Sequence, residues 1–405
     1  MNKRFDRSKL NLGVYCLAPY ARSEKHIREL AESGLDFVIC VNYDKPMLDL
    51  FEKYGVGAFV HGIVPGWGGG GAGKFASTHP IETYEKKASE FVDHPAIWAV
   101  DVGDEPSALD LPHHGRVMAT VDRLFENQFA YLNLYPNYAS VAENTDEQAL
   151  SQLGTATYEE HIAKYCECVE ADYICYDFYL YAVDVTRAYE NLRVVSDACL
   201  KSGRSMWIVL QVNSNRPEEW MSEDNLRFQA YTAMAFGAEN ITWACYTEGW
   251  WHNQVLDDKG EKTEQYDKLK TVNHEIKTIA KEYMKYRRTA THFVGFAGTP
   301  WLEAVKPEPI DSLSTGVFRN VRAENGEAVV VGQMVSRAND GSYALFVAAA
   351  DDPYAKAPKT YRLLFDCDRT VTALGGNGEV AVEDLGEGKK AVTIRSNEGV
   401  LIVAK

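Results

Sequence analysis

The stretch His94–Ala108, HPAIWAVDVGDEPSA, passes from an apolar run into two carboxylates and a proline. Ile97 to Gly103 reads as a short buried strand, and Pro106 ends its pairing and begins a turn. Side chains alternate along a strand, so Asp101, Gly103 and Glu105 are expected to point one way and Val102 and Asp104 the other.

Seven similar runs surround this one: Leu10 to Leu17, Phe37 to Asn42, Ala58 to Val64, Phe129 to Tyr135, Tyr173 to Tyr181, Met206 to Val212 and Ile241 to Tyr246. Between them lie longer amphipathic segments. SEKHIRELAESG opens on Ser23 as an N-cap and closes at Gly34, YEEHIAKYCECVEA repeats its apolar residues at helical spacing, and KTEQYDKLKTVNHEIKTIAKEYMKY follows the eighth run. Eight strand–helix units predict an α/β fold, a (β/α)8 TIM barrel. A doubly wound open sheet is the alternative, but the first strand is followed by CLAPYARSE, which lacks the nucleotide-binding glycine fingerprint.

From about residue 290 the pattern changes to short alternating segments such as EAVVVGQMV, SYALFVAAA and GVLIVAK. Asn339-Asp340-Gly341, Asn377-Gly378 and Gly386-Glu387-Gly388 supply turns between such segments. The expected organisation is a barrel over 1–288 and a small antiparallel β-sandwich domain over 289–405, with a connector from Thr299 to Asp311.

The 405 residues allow one large and one small core, and hydrophobic and charged shares of 46% and 25% are those of a globular protein. Forty-two Lys plus Arg against 58 Asp plus Glu give a formal charge of −16, which argues against nucleic acid and anionic membrane as partners and favours a neutral substrate. The opening MNKRFDRSKLNLGVYCL lacks the pattern of a secretory signal, and no stretch has membrane-spanning length, so a cytoplasmic location is expected. Eight cysteines in this length do not make a disulfide framework; Cys16, Cys40, Cys175, Cys199 and Cys245 sit in apolar contexts and read as reduced buried thiols. Cys166 and Cys168 lack zinc-ligand spacing, so no metal is assigned. Oligomeric state is not readable.

In such a barrel the active site lies at the C-terminal strand ends. Those ends carry Trp67, Glu105, Asn133, Tyr135, Asp177, Tyr179, Gln211, Glu248, Trp250, Trp251 and His252. Carboxylates, amides and aromatics suit sugar chemistry: rings stack on pyranose faces, amides bind hydroxyls, and two carboxyls cleave the acetal. A phosphate site would need a basic cradle there, and none is present in the sequence. Trp243 reads as core.

The segment around Glu105 resembles the fourth-strand motif of clan A glycoside hydrolases, in which an Asn-Glu pair, often followed by Pro, carries the general acid/base. With the barrel-plus-sandwich plan it is loosely similar to family 42 β-galactosidases. The resemblance implies that Glu105 is the acid/base and that Asp104 takes the place of the Asn that contacts the sugar 2-hydroxyl. It also implies a nucleophilic Glu at the seventh strand end, where SMWIVLQVNSN offers only Gln211.

The partner carboxylate is therefore open between Glu248, after the eighth run, and Asp177, after the sixth. Strands four and eight face each other across a barrel, which suits the roughly 6.5–9.5 Å separation of inverting enzymes, whereas strands four and six are nearer neighbours. The loop PGWGGGGAGKF begins a phosphate-loop pattern, but Phe75 stands where Ser or Thr is required, and it reads instead as a mobile flap based on Trp67.

The expectation is hydrolysis of a glycosidic bond in a small oligosaccharide or glycoside, without a cofactor. Glu105 would be the acid, with Glu248 or Asp177 as its partner. Asp104, Asn133, Tyr135, Tyr179, Gln211, Trp67, Trp250, Trp251 and His252 would bind sugar. The alternatives are an inactive carbohydrate-binding protein on a hydrolase fold, which Gln211 makes respectable, and a lyase, isomerase or aldolase, for which no Schiff-base Lys or metal cluster is seen at strand ends.

Overall fold

A computed structural model describes residues 3–69, 71–142, 147–295, 308–350, 353–354 and 359–405. Eight strands build a parallel barrel: β1 Asn11–Tyr15, β2 Phe37–Asn42, β3 Gly57–His61, β4 Ile97–Asp104, β5 Phe129–Asn133, β6 Tyr173–Phe178, β7 Ser205–Gln211 and β8 Ala238–Ala244. Each pairs in parallel with the next in sequence from β1 to β5 and from β6 to β8, and β8 pairs with β1. The gap between β5 and β6 closes through one bridge, Leu134 to Tyr176, where the Leu134 N–H donates to the Cys175 carbonyl at 2.9 Å.

Eight helices alternate with these strands: α1 Glu24–Glu32, α2 Lys45–Tyr54, α3 Ile81–Glu90, α4 Leu111–Leu124, α5 Tyr158–Cys168, α6 Val185–Ser202, α7 Glu223–Ala235 and α8 Glu264–Tyr283. Their starts are local chemistry. Ser23 and Thr157 cap α1 and α5 in capping boxes, and Asp184 caps α6 by accepting from the Arg187 N–H at 2.8 Å. The expected barrel is the fold, with strand bounds shifted by a few residues.

The N-terminal end of the barrel is plugged by aromatics. Phe5, ahead of β1, packs against Phe37, Phe59, Phe129 and Trp207 with ring centroids 5.1 to 5.8 Å apart. These rings leave polar groups to the other end, and Trp243 is fully buried as core, its indole N–H donating to Asn273 at 2.9 Å.

Beyond the barrel run β9 Tyr286–Val294, β10 Arg319–Ala323, β11 Val329–Ser336, β12 Tyr343–Ala349, β13 Thr360–Asp366, β14 Val371–Gly375, β15 Gly378–Val380, β16 Val382–Gly386, β17 Lys389–Arg395 and β18 Gly399–Ala404. They form two antiparallel sheets, in the orders β9-β11-β12-β18-β14-β15 and β10-β13-β17-β16. Val331, Leu345, Leu363, Val392 and Ile402 fill the space between the sheets. On the outer face of the larger sheet, Phe346 and Val403 join the barrel core, and α7 and α8 meet that sheet. Arg227 on α7 holds Glu275 on α8 with two contacts of 2.8 Å. Of the expected connector, 299–307 lies outside the described residues.

Candidate active site

The end of β4 is not a regular strand. Its register to β5 shifts between Asp101 and Gly103, and Glu105 sits at φ 48°, a left-handed conformation that costs a non-glycine residue roughly 1–3 kcal/mol. The expected alternation therefore fails: Asp101 and Val102 are buried, whereas Asp104 is open to the mouth and Glu105 half-buried beside it. The distorted end is held from both sides. Its Glu105 N–H donates to the Asn133 carbonyl at 2.9 Å and its Glu105 carbonyl accepts from the Gly69 N–H at 2.9 Å.

The glycine loop takes part in this clamp. Trp67 and Gly68 pair in parallel with Gly103 and Asp104, a short strand that the sequence reading did not anticipate. The approach is so close that a Cβ on Gly68 would lie 1.5 Å from the Asp104 carbonyl oxygen, and one on Gly103 2.0 Å from that of Trp67. Asp110 accepts from the Gly73 and Phe75 N–H groups at 2.9 and 3.0 Å, and the Tyr135 hydroxyl donates to the Gly69 carbonyl at 3.1 Å. Phe75 stacks on Trp67 at 5.3 Å. Outside Gly70, which is not described, the segment expected to be a mobile flap is pinned along its length.

Three carboxyls meet in the mouth. Asn133 Nδ2 donates to Asp177 Oδ1 at 2.9 Å and to Asp104 Oδ1 at 3.1 Å, bridging β4 and β6. Glu105 hydrogen-bonds to Asp177 directly, as donor. Enclosure by protein, the Asp177 charge and then the Asp104 charge hold Glu105 far above the usual carboxylate range. Asp177, 3% exposed, is raised by burial and by Asp104, while bonds from Asn133 and Glu105 favour its charged form. The two titrate as a pair, one proton lying between them on Glu105. Asp104 is pushed up to about 6 by its enclosure, with Asn133 opposing.

Aromatics line the side toward β6 and β8. Tyr179 stands edge-on to Trp251 at 4.4 Å and 5.9 Å from Trp250, which is 54% exposed. Burial, with Asp177 next, raises Tyr179 well above its ordinary value. Enclosure and the Glu105 charge push Tyr135 up to about 12. Tyr138, not singled out from the sequence, lies beside the pair as well: burial raises it, then Asp177 and Glu105. It sits in the loop after β5, three residues beyond the last strand-end position that was searched. Asp101 and His61 also went unassigned; they pair at 3.4 Å on the β3–β4 side, which raises the His61 pKa.

Other expected residues are placed elsewhere. Gln211 is fully buried; its Oε1 accepts from the Tyr181 N–H at 3.1 Å and its Nε2 donates to the Asn213 carbonyl at 2.8 Å, so its amide serves the backbone rather than a ligand. Glu248 is exposed, and its charge acts on Cys16 and Tyr20 at the β1 side rather than on the carboxyl pair. His252 is exposed and joins Ser214 through backbone bonds of 2.9 and 3.2 Å. The expectation of buried thiols fails for Cys40, which a β-bulge turns outward at φ 61°, and for half-buried Cys16, its hydrogen-bonded neighbour. Among the described residues no group of three or more His, Cys, Asp or Glu is arranged to hold a metal ion.

No family model matches the chain, and no curated protein matches it in sequence. Among solved structures, the cycloisomaltooligosaccharide glucanotransferase of a Paenibacillus species, complexed with cycloisomaltoheptaose, has a TM-score of 0.57 at 9% identity over 98% of this chain and 85% of that chain. The likeness is one of fold. A glucosidase from Croceicoccus marinus (TM-score 0.45, 9% identity, 98% of this chain and 96% of that one) and xylanase 10B from Thermotoga petrophila with xylobiose (TM-score 0.43, 10% identity, 66% and 95%) are looser likenesses that carry no argument.

Proposed function

We propose that the mouth of the barrel hydrolyses a glycosidic bond in a small, neutral oligosaccharide or glycoside, with Glu105 as general acid and Asp177 as its partner carboxylate. The observation that carries this reading is the proton shared by Glu105 and Asp177 under a strained strand end, walled by Tyr179, Trp250 and Trp251. A carboxyl kept protonated near neutral pH is what protonation of a leaving-group oxygen requires. A sugar ring entering the mouth would stack on the exposed indole of Trp250 and take hydrogen bonds from Asp104 and Asn133.

The hydrogen-bonded contact leaves no room for water between Glu105 and Asp177, unlike the roughly 6.5–9.5 Å gap of inverting pairs, so the proposed outcome is retention. Glu105 gives its proton to the glycosidic oxygen as the C–O bond breaks, and the Asp177 carboxylate forms a bond to the anomeric carbon. Water then attacks that carbon, Glu105 takes the water's proton, and Asp177 leaves. Binding of substrate must exchange the Glu105–Asp177 hydrogen bond for contacts to sugar. We assign the chemistry to a catalytic barrel over 1–288 and the bracing of α7 and α8 to a β-sandwich domain over 289–405. Cytoplasmic work fits the eight unpaired cysteines.

The test is an aryl-glycoside panel with product stereochemistry followed by NMR, including transfer products. Turnover with retention, reduced roughly 10²–10⁴-fold in Glu105→Gln, is expected. Full activity in that variant removes Glu105 from the role, and inversion removes Asp177 as nucleophile.

A further inference from the structure

At the opposite end of the barrel, a cavity of about 310 Å³ opens between the barrel and β9. Five arginines line it, Arg7, Arg204, Arg287, Arg288 and Arg337, in a chain whose formal charge is −16. Three of them are spoken for. Arg7 is paired with Asp172, Arg337 with Glu239, and Arg288 with Asp197 at 2.9 Å. The other two are not. Arg204 donates Nη2 to the Cys166 and Val169 carbonyls at 3.2 and 2.6 Å, but its Nη1 is buried with no partner. The Arg287 side chain is exposed and makes no hydrogen bond or ion pair among the described residues.

We propose that this cavity binds a phosphate group, free or as a small monoester. Two uncompensated guanidiniums match the charge of roughly −1.5 to −2 on a phosphate monoester at neutral pH. Their planar forks fit its oxygens in pairs, and a buried N–H without a partner is the group that such an oxygen would satisfy. Arg204 lies in the turn between α6 and β7, and Arg287 near the start of β9, so a bound phosphate ties the barrel to the strands that follow it. Binding there should therefore stabilise the whole chain, because an anion held by both parts favours the native state over the unfolded one.

The experiment is calorimetric titration and thermal unfolding of the full chain with inorganic phosphate, glycerol phosphate, malonate, and sodium chloride at matched ionic strength. Phosphate, the ester or both should bind and raise Tm beyond the chloride control, and which of them does so identifies the source. Arg287→Glu, at an exposed and unpaired position, should keep the wild-type circular dichroism and weaken binding by about tenfold or more, with Arg287→Lys recovering part of it. Arg204→Gln should weaken it similarly. Equal stabilisation by chloride, malonate binding as tightly as phosphate, or unchanged affinity in Arg287→Glu would each overturn the site.

Discussion

At the mouth of the barrel Asp101, Asp104, Glu105 and Asp177 gather with the amide of Asn133 and the imidazole of His61 among them, and the backbone beneath Glu105 is strained. At the other end, Phe5 and its ring neighbours fill the barrel, and Arg7 lies over Phe129, Tyr173 and Trp207 with its guanidinium 5.0 to 5.5 Å from each ring. The first end crowds like charges and keeps a proton to relieve them; the second buries apolar surface and answers most of its charges with opposite ones. Crowding of like charge lowers stability and raises carboxyl pKa values, whereas aromatic packing raises stability. The two ends should therefore respond in opposite ways to substitution.

The largest effect is expected from Asp177→Asn, with turnover falling roughly 10²–10⁴-fold in steady-state kinetics. The same variant should be more stable than wild type at alkaline pH. A carboxyl raised on folding makes its favourable contribution below the ordinary pKa of about 4 and loses it as pH rises through the raised value. Wild type should lose stability over that window, and Asp177→Asn should lose less. Tm measured across pH checks this, and parallel curves would contradict the shared proton.

At the packed end, Phe5→Ala should cost about 3–5 kcal/mol in denaturant unfolding, with kcat per folded molecule unchanged. A loss of kcat would show that the two ends are coupled. Gly68→Ala lies between these extremes. Its Cβ cannot coexist with the Asp104 carbonyl, so the loop must shift; a displacement of the strand end by about 1 Å should cost on the order of a hundredfold in kcat.

Smaller effects sharpen the picture of the mouth. Asp104→Asn removes a negative charge that raises Glu105, so the alkaline limb of the pH–rate profile should move to lower pH. Trp250→Ala should raise KM by about three- to tenfold and leave kcat nearly unchanged, as removal of a stacking face would.

The alternation of short apolar runs with amphipathic helices was legible because hydrophobic period is a local property of the chain, and so were the caps at Ser23, Thr157 and Asp184. Strand ends could be searched for the same reason, which is how Glu105, Asp177 and Asn133 came forward. The failures have a common origin. The register shift that exposes Asp104, the bulge that turns out Cys40 and the pairing of Gly68 with β4 are consequences of barrel closure, and a strict two-residue alternation cannot express them. Gln211 looked like a ligand group by position, yet its partners come from the backbone of Tyr181 and Asn213, and Tyr138 reaches the carboxyl pair from a loop.

By itself, then, the sequence determined the number and kind of elements, the capping chemistry and the set of polar residues at one end of the sheet. Each of these depends on neighbours within a few residues. The tertiary structure decided which carboxyl stands beside Glu105. Glu248 and Asp177 are equivalent candidates on a line of letters, and only the curvature of the closed sheet, with Asn133 bridging β4 to β6, brings one into hydrogen-bond contact and leaves the other at the β1 side. The proton on Glu105 follows from that contact, because a pKa shift is set by distance and enclosure in three dimensions.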